Sequence, residues 1–250
     1  LGGGLSITGS NADIIDCTIS DNNADKAGGG IILAPNNGAA EDSVINIKGS
    51  LINNNEGTNG GGIYINGNPG FGDDYRIDVN IENSTVSNNN ADSGSGAVGG
   101  GAIWSKASTW TTNDGGDGLS TNVTLQIVHS TFYNNSHAAN AKSGIQGTGS
   151  SDTDFSAFNS IIVHDGTTKR AINFANLNAT EVKNCILGGL NAAPGAFLDA
   201  AARNNVRGKT ATFAGLKDGV LLTGTLSDEG GNTQVLPIAS GSNANNYCTA

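Results

Sequence analysis

The sequence predicts an all-β fold in which one short unit is stacked on itself, a parallel β-helix. Two recurring motifs and their spacing carry this reading. The first is a triple-glycine strand start, seen in Gly60-Gly61-Gly62-Ile63-Tyr64-Ile65. The second is a Ser-x-aliphatic-x-x-Asn strand end, seen in Ser84-Thr85-Val86-Ser87-Asn88-Asn89-Asn90. Self-similarity at a period of about 20–50 residues means stacked supersecondary units that bury their apolar faces against one another. The third observation is a thin apolar supply, 36% of residues, alongside 38 glycines. A narrow core with a turn at every corner accounts for both, whereas a disordered chain would not keep an apolar pair in register.

Six repeats align on the strand-end motif, whose slots are Cys17/Ile19, Ser50/Ile52, Ser84/Val86, Ser130/Phe132, Ser160/Ile162 and Cys185/Leu187. An apolar residue sits three positions before each Ser or Cys: Ile14, Ile47, Ile81, Ile127, Ala157 and Val182. The two residues between are mostly polar, as in Glu82-Asn83 and Lys183-Asn184. This pattern describes two short strands meeting at a bend, with alternate residues pointing inward.

Three residues beyond the aliphatic slot come Asn22, Asn55, Asn89, Asn135 and then Asp165. Asparagine accepts left-handed backbone geometry and hydrogen-bonds turns, and stacked amides form ladders. The column is therefore expected to be structural. Leu190 stands at this position in the sixth repeat, so the regular ladder is expected to end there.

Glycine runs Gly2–Gly4, Gly28–Gly30, Gly60–Gly62 and Gly99–Gly101 precede Leu5, Ile31, Ile63 and Ala102-Ile103. Glycine permits tight corners and close approach of neighbouring backbones. A phosphate cradle would need a following helix, and β-type alternation follows instead. The fifth and sixth repeats keep only Ser143-Gly144-Ile145 and Arg170-Ala171-Ile172.

Spacings between Ser/Cys slots are 33, 34, 46, 30 and 25 residues. The excess falls between the glycine strand and the next one, in Ala34–Asp42, Asn66–Tyr75 and Ser105–Thr121. Insertions at one fixed point emerge on one side of the stack, the part freest to carry function. The repeats occupy 1–190, and 191–250 is expected to be a segment that finishes or caps them. Within it Ala196–Asn204 reads as a short helix, and Thr210–Leu216, Gly219–Leu226 and Thr233–Ile238 as strands. Leu1 enters the first glycine strand directly, leaving an open β edge. The chain is expected to be a processed product or an excised piece, since it has no Met and no signal segment.

A formal charge of −10 with 12 Lys+Arg argues against nucleic acid or an anionic membrane surface as partner. Two readings of the charge stand: solubility, or a hard cation such as Ca²⁺ held by surface acids. No apolar run approaches the ~18–20 residues that span a bilayer, so no transmembrane segment is expected. Three cysteines make neither a disulfide framework nor a metal spacing. Cys17 and Cys185 share one slot five repeats apart, roughly 24 Å at the usual strand spacing, far beyond disulfide reach. They read as small core residues replacing serine.

The couplet resembles the repeats of bacterial polymorphic outer-membrane proteins, with their GGA-aliphatic and Phe-x-x-Asn motifs. Gly100-Gly101-Ala102-Ile103 and Phe132-Tyr133-Asn134-Asn135 match both literally. The tail, Leu226-Ser227-Asp228-Glu229-Gly230-Gly231-Asn232-Thr233-Gln234-Val235-Leu236-Pro237, is similar to the end of choice-of-anchor surface proteins. Asn232 takes the place of the proline usual in that stretch. The resemblance implies a right-handed parallel β-helix, secreted or on the cell surface, serving display, adhesion or assembly. It carries over no catalytic residue.

Parallel β-helices also include pectin-active lyases and hydrolases, so catalysis on polysaccharide is the alternative. The insert acids are Asp73, Asp74, Asp114 and Asp117, with Asp152 and Asp154 in the next repeat. Arg76 follows Asp73-Asp74 and reads as their local ion-pair partner. Asn113-Asp114-Gly115-Gly116-Asp117-Gly118 offers two carboxylates for Ca²⁺, or is simply an acidic glycine turn. No cofactor is required. Trp104, Trp110, Tyr64, Phe71 and Tyr75 lie in or beside the inserts. They are expected either to stack on sugar rings and dock a partner, or to pin the inserts to the stack. His129, His137 and His164 fall on different repeats, which argues against zinc. The expected partners are a surface glycan or protein, or a second copy of the chain stacked end to end into a filament.

Overall fold

The computed structural model describes residues 2–35, 42–67, 74–92, 99–110, 119–137, 144–149, 153–163, 171–173, 177–183, 185–187 and 226–237. Among these the protein is all-β, with no helix. Its strands form four columns of parallel sheet, compatible with a parallel β-helix.

The first column is the glycine sheet: Leu5–Thr8, Ile31–Ala34, Ile63–Gly67, Ile103–Ala107, Ile145–Gly149 and Ile172–Asn173. The second, the long sheet, stacks Ala12–Ile15, Ser43–Lys48, Tyr75–Glu82, Leu119–Val128, Thr153–Phe158 and Leu177–Lys183. The third, the short sheet, stacks Thr18–Ser20, Leu51–Asn53, Thr85–Ser87, Thr131–Tyr133, Ile161–Val163 and Ile186–Leu187. A fourth column of two-residue strands, Asn23–Ala24, Glu56–Gly57, Asn90–Ala91 and Ser136–His137, was not legible as strand in the sequence. Two residues are too few to show alternation.

The register follows the aligned repeats. Ile14, Ile47, Ile81, Ile127, Ala157 and Val182 pair in succession along the long sheet. Ile19, Ile52, Val86, Phe132, Ile162 and Leu187 do so in the short sheet. The glycine sheet runs Leu5, Ile31, Ile63, Ile103, Ile145 and Ile172. Parallel in-register pairing sets like residues over like, so one aliphatic per column per layer builds a continuous interior. Ile31, Ile47, Ile52, Ile63 and Ile103 are wholly buried there. Each contributes about 1.5–3 kcal/mol by leaving water. Leu5, Ile7, Ala12 and Ile19 of the first layer are only partly covered.

The glycine runs pass directly against the fourth column. A Cβ on Gly61 would lie 2.5 Å from the Asn90 carbonyl carbon and oxygen, and one on Gly101 would lie 2.3 Å from the Ser136 N and O. No side chain fits between these backbones, which is why the motif is glycine.

The largest insert begins as a hairpin, with Thr109–Trp110 antiparallel to the start of Leu119–Val128. The expected helix at Ala196–Asn204, the strand at Thr210–Leu216 and nearly all of that at Gly219–Leu226 lie outside the described residues. Of the strand expected at Thr233–Ile238, the described residues 233–237 show a single antiparallel bridge, between Ser227 and Val235. The Gly230-Gly231 turn, with Gly230 at φ 88°, folds this stretch back on itself. The hairpin lies beside the first two layers. Asn232 Nδ2 donates to Asp16 Oδ2 at 2.5 Å, and Thr233 Oγ1 donates to the Gly49 carbonyl at 2.8 Å.

Candidate functional site

The bends that join the long, short and fourth columns share one construction. At each, a residue with left-handed φ makes the turn, and beyond the first layer the Ser or Asn that follows turns its side chain in. The first corner has Asp16, Gly49, Asn83, His129 and Asn159 left-handed, at φ 53°, 54°, 48°, 48° and 48°. The second has Asp21, Asn54, Asn88 and Asn134, at 60°, 53°, 54° and 50°. The sequence reading gave the left-handed role to Asn22, Asn55, Asn89 and Asn135, and the structure moves it one residue earlier. Runs such as Asn53-Asn54-Asn55 hide the difference, because every member accepts either role.

Asn55, Asn89 and Asn135 are almost fully buried and form the amide ladder. The Oδ1 of Asn55 accepts the backbone N–H and the Nδ2 of Asn22, at 3.1 and 2.9 Å. Asn89 takes the same pair from Asn55, and Asn135 takes it from Asn89. Each Nδ2 also reaches a short-sheet carbonyl of the preceding layer: Ile19, Ile52 and Val86. Every polar atom of these buried amides is thereby used. Asp165 lies outside the described residues.

A second ladder runs beside it, in the slot read from sequence only as small. Ser50, Ser84, Ser130 and Ser160 each accept the backbone N–H of the Cys or Ser one layer before, at 3.1–3.2 Å. Each hydroxyl donates to the carbonyl two residues back: Lys48, Glu82, Val128 and Phe158. Cys17 and Cys185 sit at the two ends of this column, the first exposed and the second buried. Four hydroxyls in one slot were the signal that could have revealed it.

The aromatic candidates do not gather on an open face. Tyr64 and Trp104 pair on the outer side of the glycine sheet, with ring centroids 4.7 Å apart and planes at 13°. Ala27 and Ile32 pack with them, leaving Tyr64 8% and Trp104 7% exposed. Tyr64 OH donates to Asn66 Oδ1 at 3.1 Å, while Trp104 Nε1 is buried without a partner. Burial, with a smaller push from Tyr75, raises the Tyr64 hydroxyl to about 12. Tyr75 belongs to the main interior and its hydroxyl is also pushed up by burial, which the nearby Thr121 side chain only partly offsets. Tyr75 OH and Thr121 Oγ1 nonetheless lie outside hydrogen-bond geometry. Phe71 lies outside the described residues, and of Trp110 only the backbone strand is described.

Of the candidate acids, Asp73, Asp114 and Asp117 lie outside the described residues, and Asp74 is exposed. Asp73 of the expected pairing lies outside the described residues, and the Arg76 guanidinium meets Asp78 at 2.6 Å. Residues two apart on a strand share a face, which places Asp78 beside it. The Arg76 N–H donates to Asp42 Oδ1 at 2.7 Å. Among the described residues no three His, Cys, Asp or Glu side chains converge in a way that would hold a metal ion. His129 is an outward corner residue whose Nε2 is 3.0 Å from Asn159 Nδ2, and His137 is buried in the fourth column. No described helix is long and apolar enough to cross a membrane.

Comparison with known protein families, with curated proteins and with solved structures finds no match in any of the three. The likeness to outer-membrane repeats and to choice-of-anchor tails therefore rests on the motifs alone.

Proposed function

We propose that this is a non-enzymatic extracellular protein with a structural or adhesive role, a right-handed parallel β-helix whose first layer stacks on the far end of another copy. The observation that carries this reading is the in-register stack itself, in which each ladder Oδ1 accepts from the layer before at Asn55, Asn89 and Asn135 alike. A layer of a second copy set in the same register would continue both the strand pairing and the amide ladder, and a contact of that kind that does not close makes a fibre.

The glycan reading is less well supported. It needs open aromatic faces, and Tyr64 and Trp104 are covered. The filament reading requires no cofactor. Negative-stain microscopy of the native protein tests it: fibres of stacked subunits are expected, unchanged by EDTA. Monodisperse particles at every concentration, together with cleavage products from a polysaccharide panel, would replace it with the enzymatic alternative.

A further inference from the structure

At the first corner the outward residues are Asp16, Gly49, Asn83, His129 and Asn159, and only the second lacks a side chain. A Cβ there would stand 2.5 Å from Asp16 Oδ1, so the Asp16 carboxylate lies over the bare backbone. This leaves a notch with a carboxylate on one side and an open carbonyl on the other. Asn232 and Thr233 fill it, one hydrogen bond to each wall. They come from a hairpin separated from Asp16 by 216 residues. The hairpin is internally tied as well. Ser227 and Val235 exchange N–H···O bonds at 2.9 and 3.0 Å, and Gly230 N–H donates to Asp228 Oδ1 at 2.9 Å.

We propose that the Asp16–Gly49 notch is a recognition site for an Asn-Thr β-hairpin, and that residues 226–237 of the same chain are its occupant. The hairpin is a clasp that fastens the end of the chain to its first two layers, and Gly49 selects where it fastens. Asparagine or histidine at that position, as in the later layers, would displace the Asp16 carboxylate to which Asn232 donates. The amide of Asn232 suits a carboxylate wall because it donates where a second carboxylate would repel. The clasp does not depend on the filament reading.

The test uses the full chain and backbone amide exchange at Ser227 and Val235. Gly49→Asn restores the side chain that Asn83 and Asn159 carry in the same left-handed geometry, so the stack is expected to persist. Exchange at Ser227 and Val235 should speed up about ten- to hundredfold, the worth of a lost hydrogen bond to a charged group. Exchange at Asn55 and Asn89 should stay as in the parent. Should Gly49→Asn also disturb those ladder amides, Asn232→Ala with Thr233→Val decides, because both changes lie outside the layers. A synthetic peptide of residues 226–237 is then expected to bind the Asn232→Ala/Thr233→Val chain, and not the same chain carrying Gly49→Asn. Unchanged protection of Ser227 and Val235 in both variants overturns the proposal. So does protection that appears only as protein concentration rises, since a second copy would then supply the hairpin.

Discussion

The two inward corners solve one problem with different chemistry. Both follow a left-handed residue, and both bury a polar side chain against the next layer. The hydroxyl corner splits its bonds: Ser84 Oγ accepts one N–H from the layer before and gives its proton to the Glu82 carbonyl of its own bend, with the Ile47 carbonyl of the layer before at 3.4 Å. The amide corner spends its bonds between layers: Asn89 accepts two from Asn55 and gives to Ile52 and Asn135. Both side chains join layers, but the amide does so with more bonds, because it carries two N–H donors and a separate oxygen where the hydroxyl has one proton and one oxygen.

Asn89→Ala is the sharpest way to break that contrast. It strips the acceptor from two Asn55 donors and a donor from the Ile52 carbonyl, all buried, and should cost about 3–5 kcal/mol in urea unfolding. Ser84→Ala removes one acceptor from Ser50 N–H and should cost about 1–2 kcal/mol. If the serine change proves as costly as the asparagine change, the contrast is wrong. Ser84→Cys should cost less than about 1 kcal/mol, because the column already ends in Cys17 and Cys185 and a thiol fills the same slot. A group outside both corners sharpens the comparison through pH. Tyr64 is raised from 10.0 to about 12, so the folded state keeps its proton where the unfolded chain loses it. Its contribution is fully present below pH 10 and fades between pH 10 and 12, which alkaline unfolding combined with ultraviolet titration of tyrosinate would read. The smallest effect is expected from Lys48→Ala. The pair Lys48–Glu82 spans 3.1 Å on the exposed face of the long sheet and should contribute no more than about 0.5 kcal/mol.

The sequence was most informative where chemistry repeats. Ile14 to Val182 and Ile19 to Leu187 could be aligned because apolar residues have one role in a narrow interior. Asn22 to Asn135 showed as a ladder because amides recur at one spacing. Neighbouring asparagines concealed which of them is left-handed, since backbone and side-chain roles draw on the same residue type. The aromatics were illegible for another reason. Tyr64 and Tyr75 are near in sequence, yet one lies outside the glycine sheet and the other inside the long sheet. An insert between two strands erases the phase of the alternation, so neither facing could be carried across it. The notch at Gly49 was hidden because its partner lies so far along the chain.

In-register stacking also has a mechanical meaning. The layer-to-layer hydrogen bonds run along the stacking direction, and those between two adjacent layers lie side by side. Tension along that direction is carried by all of them together, and the same tension passes to the next pair of layers. Strength is then set by the weakest junction and not by how many layers are stacked.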